Sequence, residues 1–264
     1  MRRRRAGHGH ARRAAELSER ILLIAGLGQG PWAWRWVEPL LARDHDVEIL
    51  VARGTGELVH LPARRSIAEM AEDAAELLDG RPAHLVGLSM GGYVSLTLTL
   101  AHPELVRSLF LIGTGPGGPD RVPRPQHIRE AYEEAARLPV GEYERVTTPM
   151  TLSPGWAHTN PERFEEIVAA RIADGAPLDT MWAHVEACYA YYADGVPVER
   201  IEHRAFVLHG SADVVVPPQN GRMLAARLPD AEYVELEGRG HNLTLEIPED
   251  VAQRLDAWVR LASL

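Results

Sequence analysis

The 264-residue chain contains no lysine: all 28 of its basic residues are arginine. A phosphate-gripping P-loop and a Schiff base both need a lysine amine, which argues against P-loop NTPase, kinase and pyridoxal chemistry. Cysteine occurs once, as Cys188, leaving no intrachain disulfide framework, no cysteine-based zinc site and no iron–sulfur cluster. Long apolar runs are missing as well. Ile21 to Leu27 is only seven residues and contains Gly26, too short to span a bilayer and at the lower limit of a signal core. Basic residues are outnumbered, 28 against 37 acidic, and a net charge of −9 has the wrong sign for life on a phosphate backbone. The same excess disfavours a strongly anionic substrate. His8-Gly9-His10 has no further ligands at sensible spacing. The expectation is a cytoplasmic protein without metal or cofactor, nucleic acid or membrane partner.

What is present is the balance of an ordinary soluble globule, 45% hydrophobic and 25% charged. Short apolar runs ending in glycine or turn residues predict strands buried on both faces: Ile21–Ala25, Val47–Val51, His84–Leu88 and Ser108–Ile112. Ala205–Leu208 and Tyr233–Leu236 follow near the end. Helical patterns lie between them. Ser66-x-x-Glu69 is a capping box opening a helix with Ile67, Met70, Ala71, Ala74, Leu77 and Leu78 on one face. Pro248, Glu249 and Asp250 start a last helix with Val251, Leu255, Trp258 and Val259 inward. Alternating strands and helices predict an α/β fold with a mostly parallel, doubly wound sheet.

The rhythm stops between Pro116 and Val198, where amphipathic stretches at Ile128–Leu138, Pro161–Ala173 and Thr180–Ala193 occur without a strand. An all-helical insertion into a parallel sheet belongs over the strands' carboxyl ends, where ligands bind. The organisation read is a basic N-terminal tail or helix over 1–20, a core of 20–115 and 199–264, and a helical cap over 116–198.

The chemistry centres on Ser89. Gly87-Leu88-Ser89-Met90-Gly91 matches G-x-S-x-G and falls between a predicted strand and a predicted helix. The glycines relieve the crowding of a sharp turn, let Ser89 adopt a strained backbone and leave its hydroxyl above the sheet. A bland alternative is a serine that merely caps the helix. A serine hydroxyl needs a base, and position chooses among the twelve histidines. His241 lies in the glycine-flanked loop after the last strand, and Asp213 follows the preceding strand. The 28-residue gap between them holds one helix and one strand, so both arrive at the sheet edge beside Ser89.

These three loops, in the order Ser, Asp, His, resemble the α/β-hydrolase superfamily of small esterases, enol-lactonases, cofactor-free haloperoxidases and carbon–carbon bond hydrolases. The likeness runs from about Ile21 to Leu264. It implies Ser89 as nucleophile, His241 as base then acid, and Asp213 as the group that orients and charge-stabilises the imidazole. It further implies an oxyanion hole of two backbone amides, Met90 after the nucleophile and Leu27 in the loop Ala25-Gly26-Leu27-Gly28-Gln29. Three departures stand out. Ala25 replaces a frequent histidine, so the loop must be braced otherwise. Arg53-Gly54-Thr55-Gly56 resembles the family's R-G-x-G turn, yet Val51 replaces its usual acidic residue. The leading β-hairpin of the family is missing from the pattern, which leaves Val47–Val51 near an open edge. A helix over Arg12–Glu19, or a second subunit in a homodimer, would cover it.

Substrate contacts are read from the aromatics. Trp32, Trp34 and Trp36 cluster after the oxyanion loop, with Tyr189, Tyr191 and Tyr192 near the end of the cap and Trp156 and Trp182 upstream. Such rings either fill the core or wall a tunnel. The candidate substrate contacts are Gln29, Trp32, Trp34, Trp182, Tyr189 and Tyr192, around a mid-sized hydrophobic or aromatic acyl compound. Gln29 and Asn242 serve either the substrate or their own loops. The expected activity is hydrolysis of a carboxylic ester or lactone. The alternatives are a same-fold lyase, cyclase or carbon–carbon hydrolase with His241 as base, and a ligand-binding receptor on this scaffold.

Overall fold

The computed structural model describes residues 18–262. Six strands form one sheet: β1 (Arg20–Ile24), β2 (Asp46–Leu50), β3 (Ala83–Leu88), β4 (Val106–Ile112), β5 (Ala205–Gly210) and β6 (Ala231–Leu236). Their order is β2-β1-β3-β4-β5-β6, and every neighbouring pair is parallel. Each strand falls on a predicted run, with its ends moved by one or two residues. The continuous apolar character of β1, β3 and β5 reflects burial along their whole length.

Side chains alternate between two cores. Leu22, Leu85, Leu109 and Val207 face one apolar cluster. Leu23, Val86, Phe110 and Phe206 face the other. Register pairs Phe110 with Phe206, and their rings stack at a centroid distance of 4.8 Å.

Eight helices of two turns or more occur among the described residues. They are α1 (Ile67–Leu78), α2 (Met90–Ala101), α3 (Gln126–Ala135), α4 (Val140–Thr147), α5 (Pro161–Ala173), α6 (Leu178–Asp194), α7 (Pro218–Arg227) and α8 (Pro248–Ala262). Helices α1, α2 and α7 pack on the first cluster, and α8 packs on the second. The capping box at α1 is formed: Ser66 Oγ accepts the Glu69 amide at 3.1 Å while Glu69 Oε2 accepts the Ser66 amide at 3.1 Å. Leu77, expected inward, is 37% exposed. It lies at the margin of the helix's apolar stripe, whose centre is held by Ala74 and Leu78.

Helices α3 to α6 all lie between β4 and β5, with no strand among them. The expected N-terminal tail falls mostly on residues 1–17, outside the described residues, as do the leading-hairpin reading and most of the proposed Arg12–Glu19 helix. Arg20 itself belongs to the core, its guanidinium donating to the carbonyls of Leu78 and Arg81. Among the described residues no strand pairs with the outer edge of β2. No helix among them is long and apolar enough to cross a membrane.

Candidate active site

Ser89 sits between β3 and α2 with φ 55° and ψ −116°, a region nearly closed to side-chain-bearing residues. The conformation is held from three sides. The Ser89 amide donates to the Ile112 carbonyl at the end of β4 at 2.8 Å, and the Ser89 carbonyl accepts the Gly92 amide at 2.9 Å. Thr114 Oγ1 donates to the same carbonyl at 2.9 Å. The glycines serve close approach, though not only between themselves. A Cβ on Gly87 would meet the Gly91 carbonyl at 2.5 Å, whereas one on Gly91 would meet the Ile24 carbonyl of β1 at 2.0 Å. The Ser89 side chain makes no capping bond to α2. The bland alternative of a capping serine therefore fails, and the hydroxyl is uncommitted.

Asp213 and His241 come together from loops after β5 and β6. His241 Nδ1 lies 2.7 Å from Asp213 Oδ2. Asp213 Oδ1 accepts the amides of Val215 and Val216 at 2.8 and 2.9 Å. Burial alone would disfavour the carboxylate, but His241 and His209 outweigh it and hold Asp213 well below the usual carboxylate range. With Nδ1 donating to Asp213, Nε2 of His241 is the nitrogen left to accept a proton. The ring also lies against Gly113, where a Cβ would come within 3.0 Å of Nδ1. Gly113 follows Ile112, the residue that holds the Ser89 amide. Consecutive residues at the end of β4 thus back both the serine and the imidazole.

The His241 loop is fastened to the helical insertion. Amides of His241 and Asn242 both donate to the Thr151 carbonyl, at 3.0 and 2.8 Å. The buried carboxylate of Glu246 accepts the Ser153 amide at 2.9 Å, the Gly240 amide at 3.2 Å and the Ser153 hydroxyl.

The Ala25–Gln29 loop faces the elbow, with a Cβ on Gly26 reaching 3.4 Å from Ser89 Cβ. Its brace, in place of the histidine expected where Ala25 stands, is double. Gln29 Oε1 accepts the Gly26 amide at 3.0 Å, and His184 Nδ1 on α6 accepts the Gly28 amide at 3.2 Å. Gln29 Nε2 also reaches Asn242 Oδ1 at 3.4 Å. These bonds leave the Leu27 amide without an acceptor among the described residues, and the Met90 amide at the start of α2 is equally free.

Sequence reasoning missed two histidines. His209, fully buried, places Nε2 3.2 Å from Asp213 Oδ2 and 2.9 Å from the Val216 carbonyl. Its only signal was an i, i+4 spacing to Asp213. His184 had no signal, because its partner Gly28 is 156 positions away.

The candidate substrate contacts separate. Tyr189 and Tyr192 line a cavity of about 170 Å³ together with Leu27, Tyr93 and Val216. Gln29 lines a smaller one beside Gly26 and Met90. Trp32 and Trp34 line neither. They are buried with Leu243, Leu245 and Val251 in the apolar cluster on the α8 face, because the turn Pro31–Trp34 packs against the helical turn Leu243–Glu246. Trp182 points outward and is 56% exposed. Among the described residues no group of three or more His, Cys, Asp or Glu side chains is placed to hold a metal ion.

Residues 21–254 match the family model described as alpha/beta hydrolase family. A Caulobacter vibrioides protein named putative carbamate hydrolase RutD is 31% identical over 258 residues, covering 91% of this chain and 90% of that protein. Rhodomycin D methylesterase DnrP of Streptomyces peucetius is 29% identical over 278 residues, covering 92% of both. A thermophilic esterase from Thermogutta terrifontis superposes with a TM-score of 0.76 at 24% identity, covering 93% of this chain and 90% of its own. The putative non-heme bromoperoxidase BpoC of Mycobacterium tuberculosis gives 0.77 at 23% identity, covering 93% of each chain. The match over nearly the whole described chain shows that this protein belongs to the alpha/beta hydrolase family and is a hydrolase.

Proposed function

We propose that the enzyme hydrolyses a carboxylic ester or lactone of a mid-sized hydrophobic small molecule through an acyl-serine intermediate. The observation that carries this reading is the Ser89 elbow. A strained residue whose hydroxyl serves no helix cap is held by Ile112, and the next residue, Gly113, lies against the imidazole that Asp213 orients.

In this mechanism His241 Nε2 takes the Ser89 hydroxyl proton as Oγ attacks the substrate carbonyl. The oxyanion is received by the Leu27 and Met90 amides, whose other acceptors are absent among the described residues. The imidazolium, held by anionic Asp213, then protonates the leaving alkoxide. Water enters and the same steps release the acid. Helices α3 to α6 act as a cap, of which α3, through Arg129, and α6, through Val185, Cys188, Tyr189 and Tyr192, wall the pocket. Relatives named methylesterase and carbamate hydrolase support hydrolysis as the reaction type.

The test is Ser89→Ala on an aryl ester. Turnover is expected to fall by about four to six orders of magnitude with the fold intact. Wild-type enzyme should release a burst of phenol, and label from ¹⁸O-water should enter the acid product. Retained turnover in Ser89→Ala would reject the acyl-serine route.

A further inference from the structure

The cavity that Leu27 and Tyr93 line has an unexpected wall. Arg121, Arg124 and Arg129 line it, and no Asp or Glu does. Most arginines of the described residues are paired with a carboxylate. Among the described residues, the arginines with no carboxylate within 4.0 Å are Arg35, Arg43, Arg81, Arg121, Arg124, Arg137, Arg163 and Arg200. Five of these are exposed, and only Arg121, Arg124 and Arg163 are half-buried. Arg163 lies over the Trp36 ring, away from the cavity. Two half-buried, uncompensated guanidiniums therefore face one space.

Their postures are set. Arg124 Nε donates to the Val215 carbonyl at 3.2 Å, and its guanidinium carbon sits 4.7 Å from the Tyr132 ring centroid. Both terminal nitrogens of Arg124 stay without an acceptor among the described residues. Arg121 lies over the Tyr192 ring at 4.3 Å and donates to no acceptor there. The neighbouring Tyr192 and Cys188 are both pushed up to about 12 by burial, so neither supplies a negative charge near neutral pH. Stacking explains where the planes lie but leaves the charges and the N–H forks unmatched. A planar anion that accepts two parallel N–H bonds is the group that satisfies them.

We infer that the substrate carries a carboxylate, remote from the carbonyl that reacts, and that Arg121 and Arg124 bind it in the cavity they share with Leu27. This rests on the acyl-serine reading of the site and names its substrate class. It also revises the expectation drawn from net charge. An overall −9 is a property of the whole surface, whereas the field inside the cavity is set by the groups that line it.

The experiment compares equal-length ester pairs. On the acyl side these are p-nitrophenyl half-esters of succinate, glutarate and adipate against p-nitrophenyl butyrate, pentanoate and hexanoate. On the alcohol side 4-acetoxybenzoate is set against 4-methylphenyl acetate. The anionic member of at least one pair should have a kcat/KM at least tenfold higher, and Arg124→Gln or Arg121→Gln should reduce that ratio at least tenfold. Calorimetric binding of the same esters to Ser89→Ala needs no turnover and should show the same preference. No preference in any pair, by turnover or by binding, overturns the carboxylate site even if the neutral esters are hydrolysed. If wild-type enzyme cleaves none of the esters, yet Ser89→Ala binds the anionic member tenfold tighter and Arg124→Gln loses that preference, the acyl-serine reading fails while the anion site stands. The wild-type preference decides the question without depending on the folding of any arginine variant.

Discussion

His209 Nε2 stands 3.2 Å from Asp213 Oδ2, the same oxygen that His241 Nδ1 contacts at 2.7 Å. One carboxylate oxygen thus serves two buried imidazoles, and the other serves two backbone amides. A hydrogen bond to a buried charge contributes on the order of 2 kcal/mol. His209→Leu should therefore lower kcat by about tenfold with KM little changed, since Asp213 loses a donor that fixes its plane. His209→Gln, whose amide nitrogen reaches the position of Nε2, should recover most of the loss. Equal defects in both variants would show that His209 matters for packing alone.

The elbow glycines make a separable prediction. A Cβ on Gly91 would stand 2.0 Å from the Ile24 carbonyl oxygen and 2.8 Å from that of Ala25, backbone atoms at the carboxyl end of β1. Neither atom moves without displacing β1. Gly91→Ala should cost about 3 kcal/mol or prevent folding. Gly238 has φ +70° but nothing within 4 Å of its missing Cβ. Gly238→Ala should cost only about 1 kcal/mol, the strain of the left-handed backbone. Urea denaturation of the two variants measures the contrast, and equal losses would contradict it.

Strands and elbow were legible because each is encoded locally, by a run of apolar residues or a glycine spacing. Asp213 and His241 were legible because a parallel sheet sends successive loops to one edge. Gln29 was half legible: of its two readings, substrate or its own loop, the bond from the Gly26 amide three residues before it supports the loop. His184 was not, because it reaches Gly28 from the insertion, 156 positions away, and no periodicity encodes how the insertion lies on the core. The tryptophans failed differently: clustered rings signal burial, but Trp32 and Trp34 are buried on the sheet face away from the cavity. Arg121 and Arg124 read as ordinary surface charge, since only the fold decides which arginines find a carboxylate.

Glu246 joins the insertion to the base loop. Its carboxylate accepts from the Ser153 amide and hydroxyl and from the Gly240 amide, one residue before His241. Glu246→Ala removes the acceptor of the Ser153 amide and leaves the Gly240 amide only Ser153 Oγ at 3.2 Å, and an orphaned buried group costs about 1–3 kcal/mol. Stability should fall by about 3 kcal/mol in urea titrations. The kcat should fall as well, because the loop that aims His241 is released. A variant that loses stability but keeps wild-type kcat at low temperature would show that Thr151 alone positions the loop.

His184 supplies a pH dependence whose sign is fixed by its surroundings. Its Nδ1 accepts the Gly28 amide, and burial lowers its pKa from 6.5 to about 4. Above pH 6.5 the ring is neutral in native and unfolded chains alike, and its contribution to stability is complete. Between 6.5 and about 4 the unfolded chain takes up a proton that the native chain refuses, so stability falls as the pH drops. The loss levels off below about pH 4, at roughly 3 kcal/mol. His184→Asn keeps an acceptor near the position of Nδ1 and does not titrate. Wild-type stability measured relative to His184→Asn should therefore decline between pH 7 and pH 4, while a constant difference would refute the assignment. His184→Ala, which lacks the acceptor, should in addition lower kcat by about tenfold at pH 7, because the Gly28 amide loses its partner and the loop presenting the Leu27 amide loosens.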